Sequence, residues 1–553
     1  MKFIYIFVLV VVLRSQTSKS YRVLGIFPHP AISHFRAFQP LLKGLAAKGH
    51  NVVVVSHFPD ENAPENYRDF VLDQSQIMTA AFSVNEHCTF NYFFFCFAFV
   101  FTFFARITAN HEQVYAPRSY KVYYEEFVSL MEWGNDACEQ LLASKHIDVL
   151  FDLSRDQKFD VLITEYFNTD CSLGIAYQLN ITSYIGMSSC ALMPWHYDRV
   201  GLPDIPSYIP SEFVGYTPNM NFFERFTNWI VVKLTKIGYR MSQMKDTKLL
   251  QQRFNSTVPN LRDLADNTSL VFVNQHFSFN GPRPLSMNVV EIGGIHIRES
   301  RKSLSDDLQQ LLDNAKHGVI YVSWGSIINS HGMSLSKKQE IVEVFKSLPQ
   351  TILWKWENDS LTATAKNIHI RSWLPQIDIL CHPNVKIFMS HGGLMGASEG
   401  VYCQKPTIVT PIYGDQYLNA AALEHRGMGI VLHYNQLTRD KIVDAVQRIL
   451  KPSYKQRAIE ISRSYRKRLS DPLETAVFWV DYVVENGGNL LQSHAAVRLN
   501  SLNYHSLDVI LVLLCAIAVT ILLVIKTILS FWCRSKSGKP KESRECATNK
   551  KRN

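Results

Sequence analysis

The stretch Phe388–Ala420 (FMSHGGLMGASEGVYCQKPTIVTPIYGDQYLNA) holds the densest set of residues able to do chemistry. A strand pattern ends at Ser390, His391-Gly392-Gly393 opens a helix pattern, and Glu399 lies about two turns further along. Glycines at a helix start let backbone N–H groups close on a phosphate, and the helix dipole favours its charge. His391 adds a donor at the same place, and Glu399 offers a carboxylate able to take two ribose hydroxyls. Asp415-Gln416, at the mouth of the next helix, supplies acceptors and a donor for sugar hydroxyls. In the amino-terminal half, His34 sits in Ala31-Ile32-Ser33-His34-Phe35, with His29 as its sequence neighbour. There is no acidic pair with metal-ligand spacing and no CxxC, so neither a metal nor another cofactor is expected.

The elements that must position these groups form two series. Arg22–Phe27 and Asn51–Ser56 are apolar strand patterns, and Ser33–Lys48 between them has helical spacing with Gly49 as its stop. That is a β-α-β unit, the start of a parallel sheet, which Asp160–Thr164 and Ser183–Met187 extend. A second series starts at Gly318, with strands at Val319–Ser323, Thr351–Trp356, Lys386–Ser390 and Thr407–Thr410. Helices are expected between them at Leu335–Leu348 and Leu394–Tyr402, then at Asp440–Leu450, Tyr454–Leu469 and Leu473–Glu485. Two α/β halves flank a polar, Pro-rich connection at 280–307. Since ligands of such sheets bind at strand C-terminal ends, two facing halves make a cleft for two substrates.

This ordered set resembles the signature of the UDP-glycosyltransferases, the glucuronosyl- and glucosyltransferases of animal membranes. Arg371-Ser372-Trp373-Leu374-Pro375-Gln376 is similar to the family's tryptophan–proline–glutamine element, and Val322-Ser323-Trp324-Gly325-Ser326 to its phosphate-side loop. The resemblance implies a GT-B fold, two facing Rossmann-like domains with the UDP-sugar on the C-terminal one. It implies Trp373 on uracil, Gln376 on the nucleoside, Ser326 and His391 with Gly392 and Gly393 on the diphosphate, Glu399 on ribose, and Asp415 with Gln416 on the sugar. The family's asparagine at this helix start is replaced by Leu394-Met395, which removes one side-chain contact to phosphate.

By the same resemblance His34 is the catalytic base, because a hydroxyl acceptor is a poor nucleophile until a neutral imidazole takes its proton. The imidazolium then needs a carboxylate. The family places an aspartate just past the strand Asp160–Thr164, where direct register sets Tyr166. Asp170 is therefore the first candidate and Glu165 the second, with helix capping as the competing role of Asp170. The implied reaction is inverting, metal-independent transfer of a hexose from a UDP-sugar to a small lipophilic acceptor, as in detoxification or hormone and pigment conjugation. A glucuronate carboxylate would favour an arginine fork. The strand exit Val271–Asn274 has none, which prefers glucose, while Arg283 and Arg298 keep the choice open.

Composition bounds the rest. The 553 residues are 47% hydrophobic and 19% charged, which excludes disorder and allows two to four domains. The net charge of +9 is concentrated from Arg534 onward, where eight Lys/Arg face two Glu, so the body offers no block for a nucleic acid. Lys2, the apolar run Phe3–Leu13 and the polar exit to Ser20 read as a secretory signal over residues 1–20. Residues 21–280 are then the acceptor-binding domain and 281–500 the UDP-sugar-binding domain. Residues 507–532 form a transmembrane helix and 533–553 a basic tail, cytosolic by the positive-inside rule. Lys550 and Lys551 resemble a dilysine retrieval signal, giving a single-pass type I protein of the endoplasmic reticulum with its body in the lumen.

Asn180, Asn255, Asn267 and Asn358 sit in N-x-[ST] sequons, and an odd number of lumenal cysteines leaves at least one thiol free. The uncharged, Phe-rich segment Cys88–Ala105 is long enough to span a bilayer, but a second span would put the basic tail on the wrong side. It is read as a buried or membrane-leaning helix able to line an acceptor pocket. A homo-oligomer is an open partner. Two rivals stand beside the enzyme: a catalytically silent, membrane-anchored binder of hydrophobic molecules, and a single-pass receptor.

Overall fold

The computed structural model describes residues 20–74, 82–83, 120–255, 258–297, 303–326, 328–329, 335–356 and 365–537. The expected signal segment up to residue 19, the Phe-rich segment, Arg298, Asn358 and the tail from 538 lie outside them. The first sheet is built from β1 (Arg22–Phe27), β2 (Asn51–Ser56), β3 (Tyr67–Val71), β5 (Val161–Glu165), β6 (Tyr184–Ser188), β7 (Thr268–Val273) and β8 (Val289–Glu291). Its order is β3-β2-β1-β5-β6-β7-β8, and every pairing is parallel. The second sheet contains β9 (Val319–Ser323), β11 (Thr351–Lys355), β12 (Ile368–Arg371), β13 (Val385–Ser390), β14 (Thr407–Val409) and β15 (Gly429–Val431). It runs β12-β11-β9-β13-β14-β15, again all parallel. Two two-residue strands, β4 (Phe82–Ser83) and β10 (Ile328–Asn329), pair with each other.

Parallel strands are covered on both faces, and their sequences show it. Val52–Val55 and Leu270–Val273 are unbroken apolar runs, all buried. Helix Ile32–Ala47 lays Phe35, Phe38, Leu41, Leu42 and Leu45 on one face of the first sheet. In both sheets the strand order reverses beside the first strand of the series, between β1 and β5 and between β9 and β13. These are the switch points at which an open parallel sheet leaves a crevice beyond its strand ends. His34 and Glu165 follow β1 and end β5; Ser326 and His391 follow β9 and β13.

The division at 280 needs correction at both ends. β8, at 289–291, still pairs with β7 of the first sheet. Helix Pro472–Asn486 also returns to that half, burying Ala476, Val480 and Val483 in the core of helix Ile32–Ala47. Tyr21 donates to Glu485 at 2.6 Å, and Lys48 pairs with Asp481. Apolar spacing marked this helix but carried no information about which sheet it would cover. The disulfides Cys138–Cys171 and Cys381–Cys403 staple one half each, and Cys190 is a buried free thiol.

Residues 493–553 form a separate unit. After two short helices comes the helix Leu507–Ser537, whose most apolar 18-residue stretch within Leu507–Cys533 has a mean hydropathy of 3.1. It is long and apolar enough to cross a membrane.

Candidate active site and donor cleft

A cleft of about 350 Å³ opens at the two switch points, and nearly all the expected site residues line it together. His34 comes from the first half; Ser326, Trp373, Gln376, His391, Gly393, Glu399, Asp415 and Gln416 come from the second. Gly392, Glu165 and Asp170 are not among its lining residues.

His34 stands in the first turn of helix Ile32–Ala47, and its Nδ1 lies 2.7 Å from Glu165 Oε1. Both side chains are largely buried, at 14% and 3% exposure. Ser189, just past β6, places Oγ 2.9 Å from the same Nδ1. With Nδ1 engaged, Nε2 is the nitrogen left for a substrate. The ring packs edge-on to Phe167 at 4.5 Å. His29 lies 4.6 Å from it, fully buried, and burial followed by the neighbouring His34 and His57 pushes its pKa well below the ordinary range.

The carboxylate beside His34 is thus Glu165, and the expectation of Asp170 is corrected. β5 runs one residue further than its sequence pattern suggested, so Glu165 is its last residue. Successive strand residues point to opposite faces. Glu165 turns to His34, while Tyr166 is buried and donates to or accepts from Thr268 Oγ1 at 2.9 Å. Gly186 makes room for the Tyr166 ring, since a Cβ there would come within 2.1 Å of it. Asp170 stands at the start of helix Cys171–Gln178 without capping it. Its carboxylate receives both terminal nitrogens of buried Arg199, at 3.0 and 3.1 Å, and Gln243 Nε2 at 2.7 Å. The Asp170 pair is a structural clamp on the loop after Glu165.

On the opposite wall, helix Leu394–Tyr402 begins at Gly393. His391 is half-buried, its buried Nδ1 has no partner among the described residues, and desolvation together with Lys355 lowers its pKa to about 4, so it is neutral at physiological pH. The flanking glycines are required by its ring. A Cβ on Gly393 would meet His391 Nε2 at 2.5 Å, and one on Gly325 (φ +81°) would meet it at 2.7 Å. The cation Lys355, at the end of β11, donates to Gly325 O at 2.8 Å and stands 5.2 Å over the Trp373 ring. Trp373 is 56% exposed, and Arg36 from the first half approaches it at 5.1 Å.

Glu399 accepts from Gln376 Nε2, while Gln376 Oε1 accepts from Tyr321 at 3.2 Å. Burial raises the Glu399 pKa to about 7. Asp415 is held by Asn419 Nδ2 at 2.9 Å and is also raised by burial, with Asn419 and then His34 opposing the shift. Gln416 spends Oε1 on the N–H groups of Ile412 and Tyr413, so only its amide nitrogen is left for a sugar.

Lining groups missed from sequence include Ser189, Lys355 and Arg36. The signal existed for Lys355, a lone cation closing the apolar strand Thr351–Lys355. Arg283, held open as a carboxylate fork, is instead half-buried outside the cleft lining, donating to Tyr197 OH at 3.2 Å beside Glu212. Trp195 is likewise buried, stacked on Tyr239 at 4.5 Å in an aromatic cluster with Phe127, Phe213 and Cys190. Cys190 also lines the cleft, so this cluster adjoins the first-half wall.

Two parallel α/β sheets with a cleft at both switch points define a GT-B glycosyltransferase. Solved structures agree on the fold: a UDP-glucosyltransferase from Polygonum tinctorium (TM-score 0.53, 14% identity) is matched over 85% of this chain and all of its own. The glycosyltransferase VinC, solved with DTDP, is matched at TM-score 0.54 and 15% identity over 84% of this chain and all of its own. The chain belongs to the family described as UDP-glucoronosyl and UDP-glucosyl transferase, whose match spans residues 23–542. It is 34% identical to UDP-glycosyltransferase UGT5 of Dactylopius coccus over 93% of each chain. It is also 28% identical to UDP-glucuronosyltransferase 1-2 of Rattus norvegicus, over 92% of this chain and 91% of that one. It is therefore a glycosyltransferase that uses a UDP-sugar.

Proposed function

We propose that the chain transfers a hexose, glucose in preference, from a UDP-sugar to a hydroxyl of a small lipophilic acceptor with inversion. The observation that carries this is the His34–Glu165 contact facing the donor wall. His34 Nε2 takes the acceptor proton as its oxygen attacks the anomeric carbon, and the bond to UDP breaks with its electron pair leaving on the diphosphate. Glu165 stabilises the imidazolium, and Ser189 fixes the ring. The leaving charge falls on the helix start at Gly393, His391, Ser326 and Lys355, which were in place before the reaction. In this reading the chain's own groups meet the leaving charge, and no metal is invoked.

A neutral sugar fits the charges around the sugar end. Asp415 and the Gln416 amide offer hydroxyl partners at this end, Glu126 accepts from Gly414 N at 3.4 Å, and Glu212, raised to about 8 by burial, is uncharged at neutral pH. The aromatic cluster around Trp195 suits a flat, apolar acceptor of the kind conjugated in detoxification or in hormone and pigment metabolism. Two disulfides favour an oxidising compartment, and with the candidate span and basic tail they support a type I protein of the endoplasmic reticulum, body in the lumen.

The test is UDP release by membranes carrying the protein, with UDP-glucose and UDP-glucuronate offered separately against a phenol panel. Turnover with UDP-glucose that vanishes in His34→Ala is expected. UDP-sugar binding without turnover on any acceptor would overturn the reading in favour of a silent binder.

A further inference from the structure

The helix Phe222–Phe254 is inside out. A helix on a water-soluble body puts its apolar stripe inward and its polar residues outward. Here the inward face is mostly polar: Asn228, Gln243 and Asp246 are buried and hydrogen-bonded to Ser211, Asp170 and Asn135. The outward face carries Phe222 at 64% exposure, Trp229 at 48%, Ile237 at 44%, Met241 at 46% and Met244 at 54%. These five recur at helical spacing along about 33 Å of one side. The exposed positions between and beyond them include Arg240, Lys245 and Lys248, and none of the exposed positions of the helix is acidic. The inversion has a local cause, since the inner face is committed to the buried network that clamps Asp170. That explains the polar interior and leaves the apolar exterior without a role in the body.

We infer that this outward face lies on the lipid bilayer, with its aromatic and aliphatic side chains at the headgroup–acyl boundary and its cations on lipid phosphates. An apolar stripe of Phe, Trp, Ile and Met side chains, flanked by Lys245 and Lys248 and by Arg240, which pairs with Asp198 at 3.1 Å, has the composition of an interfacial helix. The inference rests on the reading that Leu507–Cys533 spans a membrane. The chain between Gln492 and that helix can reach at most about 50 Å, so a bilayer is always within the body's vicinity and the second contact is intramolecular in effect. A second copy is the weaker occupant. A two-fold pairing of this face would set its own cations against each other or against its apolar side chains, whereas lipid phosphates complement them.

The experiment uses the full chain in phosphatidylcholine–phosphatidylinositol vesicles containing a phosphatidylcholine with a diazirine on its acyl chain. After irradiation, lipid adducts are mapped by mass spectrometry. Adducts are expected both in the span and in peptides from Phe222–Lys245. In the variant Trp229→Glu/Ile237→Glu/Met244→Glu the helix adducts should fall at least about five-fold, while span adducts and UDP release stay at wild-type levels. Adducts in the span alone overturn the inference and leave the anchor standing. Adducts in neither overturn both. Copy-to-copy disulfides at Met241→Cys, with the helix unlabelled by lipid, overturn it in favour of a dimer face.

Discussion

Replacing Glu165 by Gln separates the two carboxylates that compete for the role of His34's partner. Glu165 touches His34 Nδ1 at 2.7 Å from a site only 3% exposed, so its charge meets the imidazolium with little screening. With charge centres about 4 Å apart and an effective dielectric near 20, the attraction is about 4 kcal/mol. The amide keeps the shape but not the charge. Losing most of that attraction in the transition state lowers kcat by about 10²–10³-fold. Affinity for the UDP-sugar should hold, because Glu165 does not line the donor wall. Asp170→Asn acts on a different quantity. It leaves the buried Arg199 guanidinium short of its partner, at a cost of about 3–5 kcal/mol in stability. The folded fraction should still turn over within about three-fold of wild type, since the His34 contact is untouched. Both variants are assayed by UDP release, with denaturant unfolding run alongside. Near-normal kcat in Glu165→Gln, together with a folded but inactive Asp170→Asn, would refute the assignment.

Other perturbations follow from the donor wall and the staples. Glu399 has its pKa raised to about 7 by burial, yet must be ionised to accept ribose hydroxyls, so UDP-sugar binding weakens as pH falls through 7. The dissociation constant should rise toward about ten-fold per pH unit below that point, and calorimetry on Glu399→Gln should show a flat profile. Without donor, the same raised pKa means that the group's contribution to stability declines as pH rises from the ordinary carboxylate range through 7, a decline Glu399→Gln should lack in thermal melts. Gly393→Ala puts a Cβ 2.5 Å from His391 Nε2, and displacing that donor should weaken UDP binding by about 10–100-fold with the melting temperature nearly unchanged. Removing the Cys138–Cys171 bridge, which closes a separation of 33 residues, should lower stability by about 3–4 kcal/mol while kcat of the folded enzyme holds.

Much of this site is local, and local features are readable. His391-Gly392-Gly393, Glu399 and Asp415-Gln416 lie on one strand–helix–strand–helix run, where chain geometry alone brings them to one sheet edge. The apolar runs of a parallel sheet and the helical spacing of Ile32–Ala47 mark their elements because burial on two faces, or on one stripe, leaves a period in the chain. His34 was legible for the same reason, as the first turn after the first strand. What depended on the tertiary structure was every pairing across distance. Whether Glu165 or Asp170 meets His34 depends on where β5 ends, and a strand's end is set by its neighbours' hydrogen bonds. A shift of one residue moves a side chain to the opposite face. Ser189 and Lys355 enter the site because β6 and β11 sit beside particular strands, an order that apolar patterns do not encode. The helix Pro472–Asn486 has an apolar stripe that would suit either sheet, and only packing chose the first. Composition along Phe222–Phe254 shows apolar and polar residues in helical alternation, but which face looks outward was decided by the buried partners that claimed the polar one.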